Sequence, residues 1–200
     1  AAADKEFRGF ARVEVRDPEA TLAVTEFHQD DQKKGRPFRT ELTDASGALW
    51  TRAEQTWTAT EPYLGVHFVR LDQTDAFTFD GDATSRQVRS RFLYDQHGNV
   101  TRTDEDGEIG VTGDERSTVT TYVVNNSPSV WILNKPNSVQ TFAADGTTIV
   151  AQRRFYYNAA ADSSTLPTKG NLTKEEEWLN PGNRWLPTGL TYDAYGNVLT

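Results

Sequence analysis

The chain has 200 residues, a formal charge of −8 and neither Cys nor Met, which excludes disulfides, thiolate nucleophiles and cysteine-based metal sites. An acidic surface repels phosphate backbones, so nucleic acid is not the expected partner. Hydrophobic residues are 36%, below the roughly 45–50% of ordinary globular domains, a figure that also counts Gly; this suits a sheet with one or both faces wet.

Period-2 alternation dominates the chain and marks strands. Val13 and Val15 alternate with Arg12, Glu14 and Arg16, and the polar run from Gln29 to Arg36 reads as a solvated hairpin tip. Asp44 to Gly47 is a turn, and Val66 to Phe79 is extended with a bend near Asp72. Val88, Ser90, Phe92 and Tyr94 share one side of a strand, with Gln87, Arg89, Arg91 and Leu93 on the other. Asp104 to Gly107 repeats the turn pattern, and the Thr- and Val-rich run from Ser117 to Val124 favours strand. Phe142-Ala143-Ala144-Asp145-Gly146 is a turn variant that precedes an alternating strand from Ile149 to Tyr157. Tyr156-Tyr157-Asn158, answered by Gly170-Asn171-Leu172, reads as a hairpin with an expanded tip. Thr173 to Leu179 carries a helix capping box, Thr173 with Glu176, yet by register it begins a returning strand, the preferred reading. Asn180-Pro181-Gly182-Asn183 is a further turn.

One phrase occurs twice: Tyr94-Asp95-Gln96-His97-Gly98-Asn99-Val100 and Tyr192-Asp193-Ala194-Tyr195-Gly196-Asn197-Val198. Its grammar is that of a strand, a tight turn and a returning strand. Asp at the first turn position accepts backbone N–H groups ahead of it, and Gly at the fourth takes positive φ without a Cβ clash. A type I turn followed by a left-handed Gly reverses a hairpin. The two copies lie roughly a hundred residues apart, so the unit is a degenerate hairpin and not a strict period. The predicted fold class is all-β: antiparallel β-hairpin repeats forming a curved, elongated sheet, with no evident domain boundary. Tyr94, Asp95, Gly98, Asn99, Tyr192, Asp193, Gly196 and Asn197 are the expected turn-and-packing residues, joined by Asp44, Gly47, Asp104 and Gly107 at the other turns. The chain starts at Ala1 without Met and stops at Thr200, where a returning strand should still run; it reads as a piece of a larger polypeptide. No signal peptide is visible, and no apolar run is long enough to span a bilayer.

These Tyr-Asp-x-x-Gly-Asn-Val phrases resemble the YD repeats of the RHS family. Phe7-Arg8-Gly9-Phe10 with Val13-Glu14-Val15, Lys34-Gly35-Arg36-Pro37 with Arg39-Thr40-Glu41-Leu42, Asp80-Gly81-Asp82, Val111 to Arg116, Leu166 to Leu172, and Trp178-Leu179-Asn180 with Arg184-Trp185 resemble the B component (TcB, SpvB-like) of bacterial insecticidal toxin complexes. The similarity is to its middle and C-terminal region: residues 1–90 to the middle-region strands, 91–200 to degenerate YD-repeat hairpins. The resemblance implies a structural segment of a hollow β-shell that encapsulates a C-terminal toxin polypeptide for delivery. The implied partners are the rest of the same polypeptide, an RHS-containing toxin component and the encapsulated cargo. The implied location is extracellular, as part of a secreted toxin complex, and cytoplasmic before release. The family's self-cleaving aspartate site, effector and β-propeller lie outside the matched motifs, and no residue here is assigned to them.

Reactive chemistry has few footholds. His28 borders a charged loop, His67 falls in a strand, His97 occupies a turn, and no Gly-x-Ser-x-Gly elbow exists. Asp104, Glu105, Asp106, Glu108, Asp114 and Glu115 supply acids without evident pairing across a cleft. An EF-hand fails because Arg102 and Gly113 stand at ligand positions; an irregular calcium site at Asp80-Gly81-Asp82 or Asp104 to Gly107 is the remaining metal reading. Gly107, Gly110 and Gly113 lack the Lys-Ser/Thr of a phosphate loop. Trp50, Trp57, Trp131, Trp178 and Trp185 suit packing between hairpins, or sugar stacking in an alternative carbohydrate- or cell-surface-binding β-module. The sequence thus assigns no catalytic residue, cofactor or metal.

Overall fold

The computed structural model describes residues 6–180 and 182–199. Among them there are twelve strands and no helix: β1 (Arg12–Arg16), β2 (Leu22–Phe27), β3 (Pro37–Thr43), β4 (Leu49–Tyr63), β5 (Val66–Thr78), β6 (Arg86–Tyr94), β7 (Val100–Glu108), β8 (Arg116–Asn125), β9 (Ile132–Phe142), β10 (Ile149–Tyr157), β11 (Leu172–Leu179) and β12 (Arg184–Gly189). In the first unit β1 to β6 pair antiparallel in sequence order, and in the second β8 to β12 do the same. The all-β, antiparallel hairpin class read from the sequence is the one observed. The chain divides into two compact units, Ala1–Phe92 with Glu105–Val111, and Leu93–Asp104 with Thr112–Thr200.

In the first unit, register sorts side chains onto two unlike faces, because neighbours along a strand point to opposite sides. Glu26 pairs with Arg39, Arg39 with Glu54, Glu54 with Asp75, and Asp75 with Arg89, so a charged row crosses five strands. One residue along, Thr25, Thr40, Ala53, Ala76 and Val88 pair in turn and make a small, uncharged row on the other side. Asp75 anchors the charged row at only 8% exposure. Its carboxylate accepts hydrogen bonds from Gln73 Nε2 at 2.6 Å, Gln87 Nε2 at 2.7 Å and Arg89 Nε at 2.7 Å. The bend near Asp72 is a β-bulge: Thr56 pairs with Gln73 and Trp57 with Leu71, which leaves Asp72 unopposed.

In the second unit, Thr121, Ser138, Arg154, Glu176 and Pro187 pair in succession from β8 to β12. The face is closed by stacking of cations on rings: Arg154 lies 3.9 Å from the Trp185 ring and Lys174 Nζ 3.6 Å from that of Tyr156. Thr173 to Leu179 belongs to a strand, as its register required. The Thr173 hydroxyl donates to the Tyr156 carbonyl at 3.1 Å and accepts the Ala159 N–H at 2.8 Å, so it bridges strands and caps no helix. Among the described hydrophobic residues only Val123, Tyr156 and Tyr157 are buried. Together with the fully buried Pro167, they place what core there is toward the β10–β11 loop.

Acid titration tests the charged row. Burial opposes ionisation of Asp75, but the bonds from Arg89, Gln73 and Gln87 outweigh it and hold the carboxyl below its ordinary value. Its contribution to stability is therefore complete above the unfolded pKa of about 3.9 and is lost as pH falls through the folded value. The denaturant midpoint should drop below about pH 4, and Asp75→Asn should flatten that drop while lowering stability at neutral pH by about 1–3 kcal/mol. Equilibrium unfolding of both proteins across pH checks this.

Candidate functional site

The residues singled out by the repeated phrase build two matching corners. At the first, Asp95 Oδ1 accepts the N–H groups of His97 at 2.8 Å and Asn99 at 2.9 Å, while Oδ2 accepts Asn99 Nδ2 at 2.8 Å. At the second, Asp193 Oδ1 accepts Tyr195 N–H at 2.8 Å and Asn197 N–H at 2.9 Å, and Oδ2 accepts Asn197 Nδ2 at 2.8 Å. The backbone closes both in the same way, with Gly98 N–H to the Asp95 carbonyl and Gly196 N–H to that of Asp193, each at 3.2 Å. Gly98 and Gly196 stand at φ 85° and 87°, a backbone conformation that L side chains rarely adopt. Hydrogen bonds from Asn197 hold the Asp193 carboxyl below the usual range. Burial opposes the charge of Asp95, yet the Asn99 and His97 bonds keep it low as well.

Asp44 and Gly47 make the same reversal with one change. Asp44 Oδ1 accepts Ser46 N–H at 2.8 Å, Ser46 Oγ at 2.7 Å and Ala48 N–H at 2.9 Å. Ala48 has no carboxamide to offer, and Oδ2 takes the Trp50 indole N–H at 3.2 Å instead. The Ser46 hydroxyl and then the Trp50 indole bring this carboxyl down to about 2. In the turn after Phe142 the aspartate sits one step before Gly146; Asp145 accepts the N–H groups of Thr147 and Thr148 at 2.8 and 2.7 Å, and the Thr148 bonds bring it likewise to about 2.

Asp104 and Gly107 do not form a corner. Both lie inside β7, and Asp104 accepts Arg102 Nε at 2.7 Å within its own strand. A reversal there would leave only the few residues after Asn99 as a returning strand, too short to follow β6. Gly107 takes φ 63° within the strand instead, and Asp106 accepts Arg91 Nη2 at 2.6 Å.

The expanded tip keeps the grammar with a substitute. Asn158 stands where Asp95 does: its N–H donates to the Asn171 carbonyl at 2.9 Å, and its Oδ1 accepts the N–H groups of Thr168, Lys169 and Gly170 at 2.9, 3.2 and 3.3 Å. Gly170 has φ 78°, and an added Cβ would meet Lys135 Cε at 2.9 Å. Beside this tip opens a cleft of about 850 Å³, lined among others by Asn158, Lys169, Lys174 and Tyr192.

Sequence reasoning missed the ties that run from one hairpin to the next. Asn99 Nδ2 also donates to the Leu133 carbonyl at 2.8 Å, and Asn125 Nδ2 to that of Pro167 at 2.9 Å. Tyrosine hydroxyls do the same: Tyr122 to Val100 at 3.0 Å, Tyr157 to Pro136 at 2.8 Å and Tyr192 to Leu172 at 2.8 Å. In the first unit Trp57 Nε1 reaches the Pro37 carbonyl at 2.7 Å. The signal was present: Tyr122, Tyr157 and Tyr192 recur at equal spacing along the chain. Tyr94 ends β6 half-buried.

The reactive candidates fall apart from one another. His97 sits in the first corner, His67 is exposed on β5, and His28 packs against the Phe38 ring at 5.1 Å, where burial pushes its pKa down. No group of three or more His, Asp or Glu among the described residues is placed to hold a metal ion. Trp178 and Trp185 face each other across β11 and β12, whereas Trp131 is 75% and Trp50 44% exposed.

No protein-family model matches the chain, and no curated protein does. Several solved structures are similar in fold. The crystal structure of TcdB2-TccC3-TEV superimposes with a TM-score of 0.64 at 13% identity, over 89% of this chain and 14% of that one. TcdB2-TccC3 without its hypervariable C-terminal region gives 0.65 at 13% identity over the same shares, 89% and 14%. This chain therefore spans a small part of those polypeptides, and at this identity the likeness is one of fold.

Corners and ties make separable predictions. Gly98→Val forces a β-branched residue to positive φ and should destabilise by about 1–3 kcal/mol. Tyr122→Phe, Tyr157→Phe and Tyr192→Phe each remove one phenol-to-carbonyl bond and should each cost about 1 kcal/mol. Urea denaturation of the four variants measures both, and unchanged midpoints would remove the assignment concerned.

Proposed function

We propose that this chain is a structural, non-catalytic segment of the wall of an RHS-type toxin shell, completed by the rest of its polypeptide and by an RHS-containing toxin component. The shell encloses a toxin polypeptide and is released as part of a secreted complex, after assembly in the cytoplasm. The observation that carries this reading is the lattice of carboxylate corners and side-chain-to-carbonyl ties, on a fold that matches 89% of the chain to a segment of TcdB2-TccC3. A wall needs hairpins fixed to one another along their length, and the Asn and Tyr ties supply that fixing. It also needs faces that do not trap an unfolded cargo. Rows such as Glu26–Arg39–Glu54–Asp75–Arg89 and Thr25–Thr40–Ala53–Ala76–Val88 offer no continuous apolar lining. No described helix is long and apolar enough to cross a membrane.

The second reading, a carbohydrate- or cell-surface-binding β-module, rests on Trp131 and Tyr195, which stand 75% and 92% exposed in loops of the second unit. Such rings can stack on sugar faces.

One experiment separates the two. The full polypeptide that carries this chain is assembled with an RHS-containing toxin component and treated with protease. The wall reading expects a resistant cargo fragment, and expects Asp95→Ala with Asp193→Ala to make that cargo digestible. A cargo that is digested at the same rate in the intact assembly contradicts the wall. Glycan-array binding that is lost in Trp131→Ala would favour the module.

A further inference from the structure

The β4–β5 hairpin presents an edge that no other described strand of the first unit is laddered to. β4 is laddered to β3 only as far as Glu54, opposite Arg39, but stays paired with β5 out to Tyr63, opposite Val66. At Trp57 the outer edge is still covered, by the Pro37 carbonyl on the indole N–H and by Arg36, 5.1 Å from the ring. From Thr58 onward no described strand is laddered to that side of β4. The hairpin end is closed by a left-handed glycine and a carboxylate. Gly65 has φ 76°, and the Glu61 carboxylate accepts its N–H at 2.5 Å. It is also apolar: Tyr63, Leu64 and Val66 are 76%, 98% and 53% exposed.

Open strand edges are normally protected by charge. β1 follows that rule with Arg12, Glu14 and Arg16. β4 does not: Gln55-Thr56-Trp57-Thr58-Ala59-Thr60 carries no charge at all, and its threonines favour strand pairing. The segment is also self-complementary. Thr58-Ala59-Thr60 reads alike in both directions, so two copies laid antiparallel about a two-fold axis at Ala59 place Thr58 opposite Thr60 and Ala59 opposite Ala59. Small side chains then meet at the axis and no like charges are opposed. The fold already uses such threonine pairs, with Oγ1 atoms of Thr25 and Thr40 at 3.4 Å and of Thr118 and Thr141 at 3.2 Å. Pro62 has no N–H to give and ends the ladder on each side.

We propose that the free edge of β4, centred on Ala59, pairs with the same edge of a second copy of this chain. The contact is isologous and short, which makes the association weak and dependent on concentration. It does not depend on the shell reading, since either could fail alone.

Because the chain has no Cys, single cysteines report the register cleanly. Sedimentation of the chain should show a dimer fraction that rises with concentration. Under mild oxidation Ala59→Cys should form a disulfide-linked dimer at least about tenfold faster than His67→Cys, since residues opposed at a two-fold axis react as neighbours; His67 is exposed on the other strand of the same hairpin. Thr60→Lys should abolish the dimer while circular dichroism and the melting temperature stay unchanged. A chain that remains monomeric at every concentration, equal cross-linking of the two cysteine variants, or a dimer that survives Thr60→Lys overturns the proposal.

Discussion

The fold depends on the capping of tight reversals by an aspartate carboxylate. A four-residue turn points several N–H groups into a space that no strand partner can reach, and leaving them unbonded is costly. At Asp95 and Asp193 one side chain answers them with two oxygens, and the asparagine at the fifth position contributes a further donor to the same carboxylate. The glycine before that asparagine supplies the positive φ the loop requires. Where the asparagine is missing, at Ala48, the spare oxygen is taken by the Trp50 indole. Where the loop is expanded, a neutral Asn158 gathers three N–H groups on one oxygen. What recurs is one side chain gathering three or four donors, not the identity of the residue.

From the corners the organisation spreads sideways. Asn99 serves its own turn and also holds the Leu133 carbonyl, so closing one hairpin attaches it to another. Tyrosine hydroxyls repeat the attachment along the second unit. The sheet therefore gains cohesion from polar bonds at strand ends and from stacked cations such as Arg154 on Trp185, in place of a deep apolar core. That is a suitable material for a wall, whose two faces must both meet water or polar chain.

Much of this was legible in the sequence. The run from Ile149 to Tyr157 forms β10 as read, although its burial does not alternate: the neighbours Tyr156 and Tyr157 are both buried, where the register with β11 shifts. The Tyr-Asp-x-x-Gly-Asn-Val phrase specifies its corner because its Asp, Gly and Asn supply the acceptor, the positive φ and the extra donor that the reversal requires. The pattern misleads at Asp104 and Gly107, where an isolated Asp-x-x-Gly lies too close to the preceding corner to leave room for a strand; spacing decides there, not motif. Thr173 with Glu176 imitates a helix cap, but the demand of β10 for a partner overrides local propensity. The ties were hidden for a different reason. A hydrogen bond from Tyr122 to Val100 or from Asn125 to Pro167 depends on register between hairpins, which no local window contains.

The most direct measurement is an NMR titration of the aspartate side-chain carboxyls in the folded chain. If the carboxylates cap the reversals as described, Asp95 and Asp193 titrate below the ordinary aspartate range, and Asp44 and Asp145 near the value of about 2 that their bonds enforce. Ordinary titration at these four positions, about 3.9, would mean that the carboxylates do not hold the corners and would contradict the account at its base.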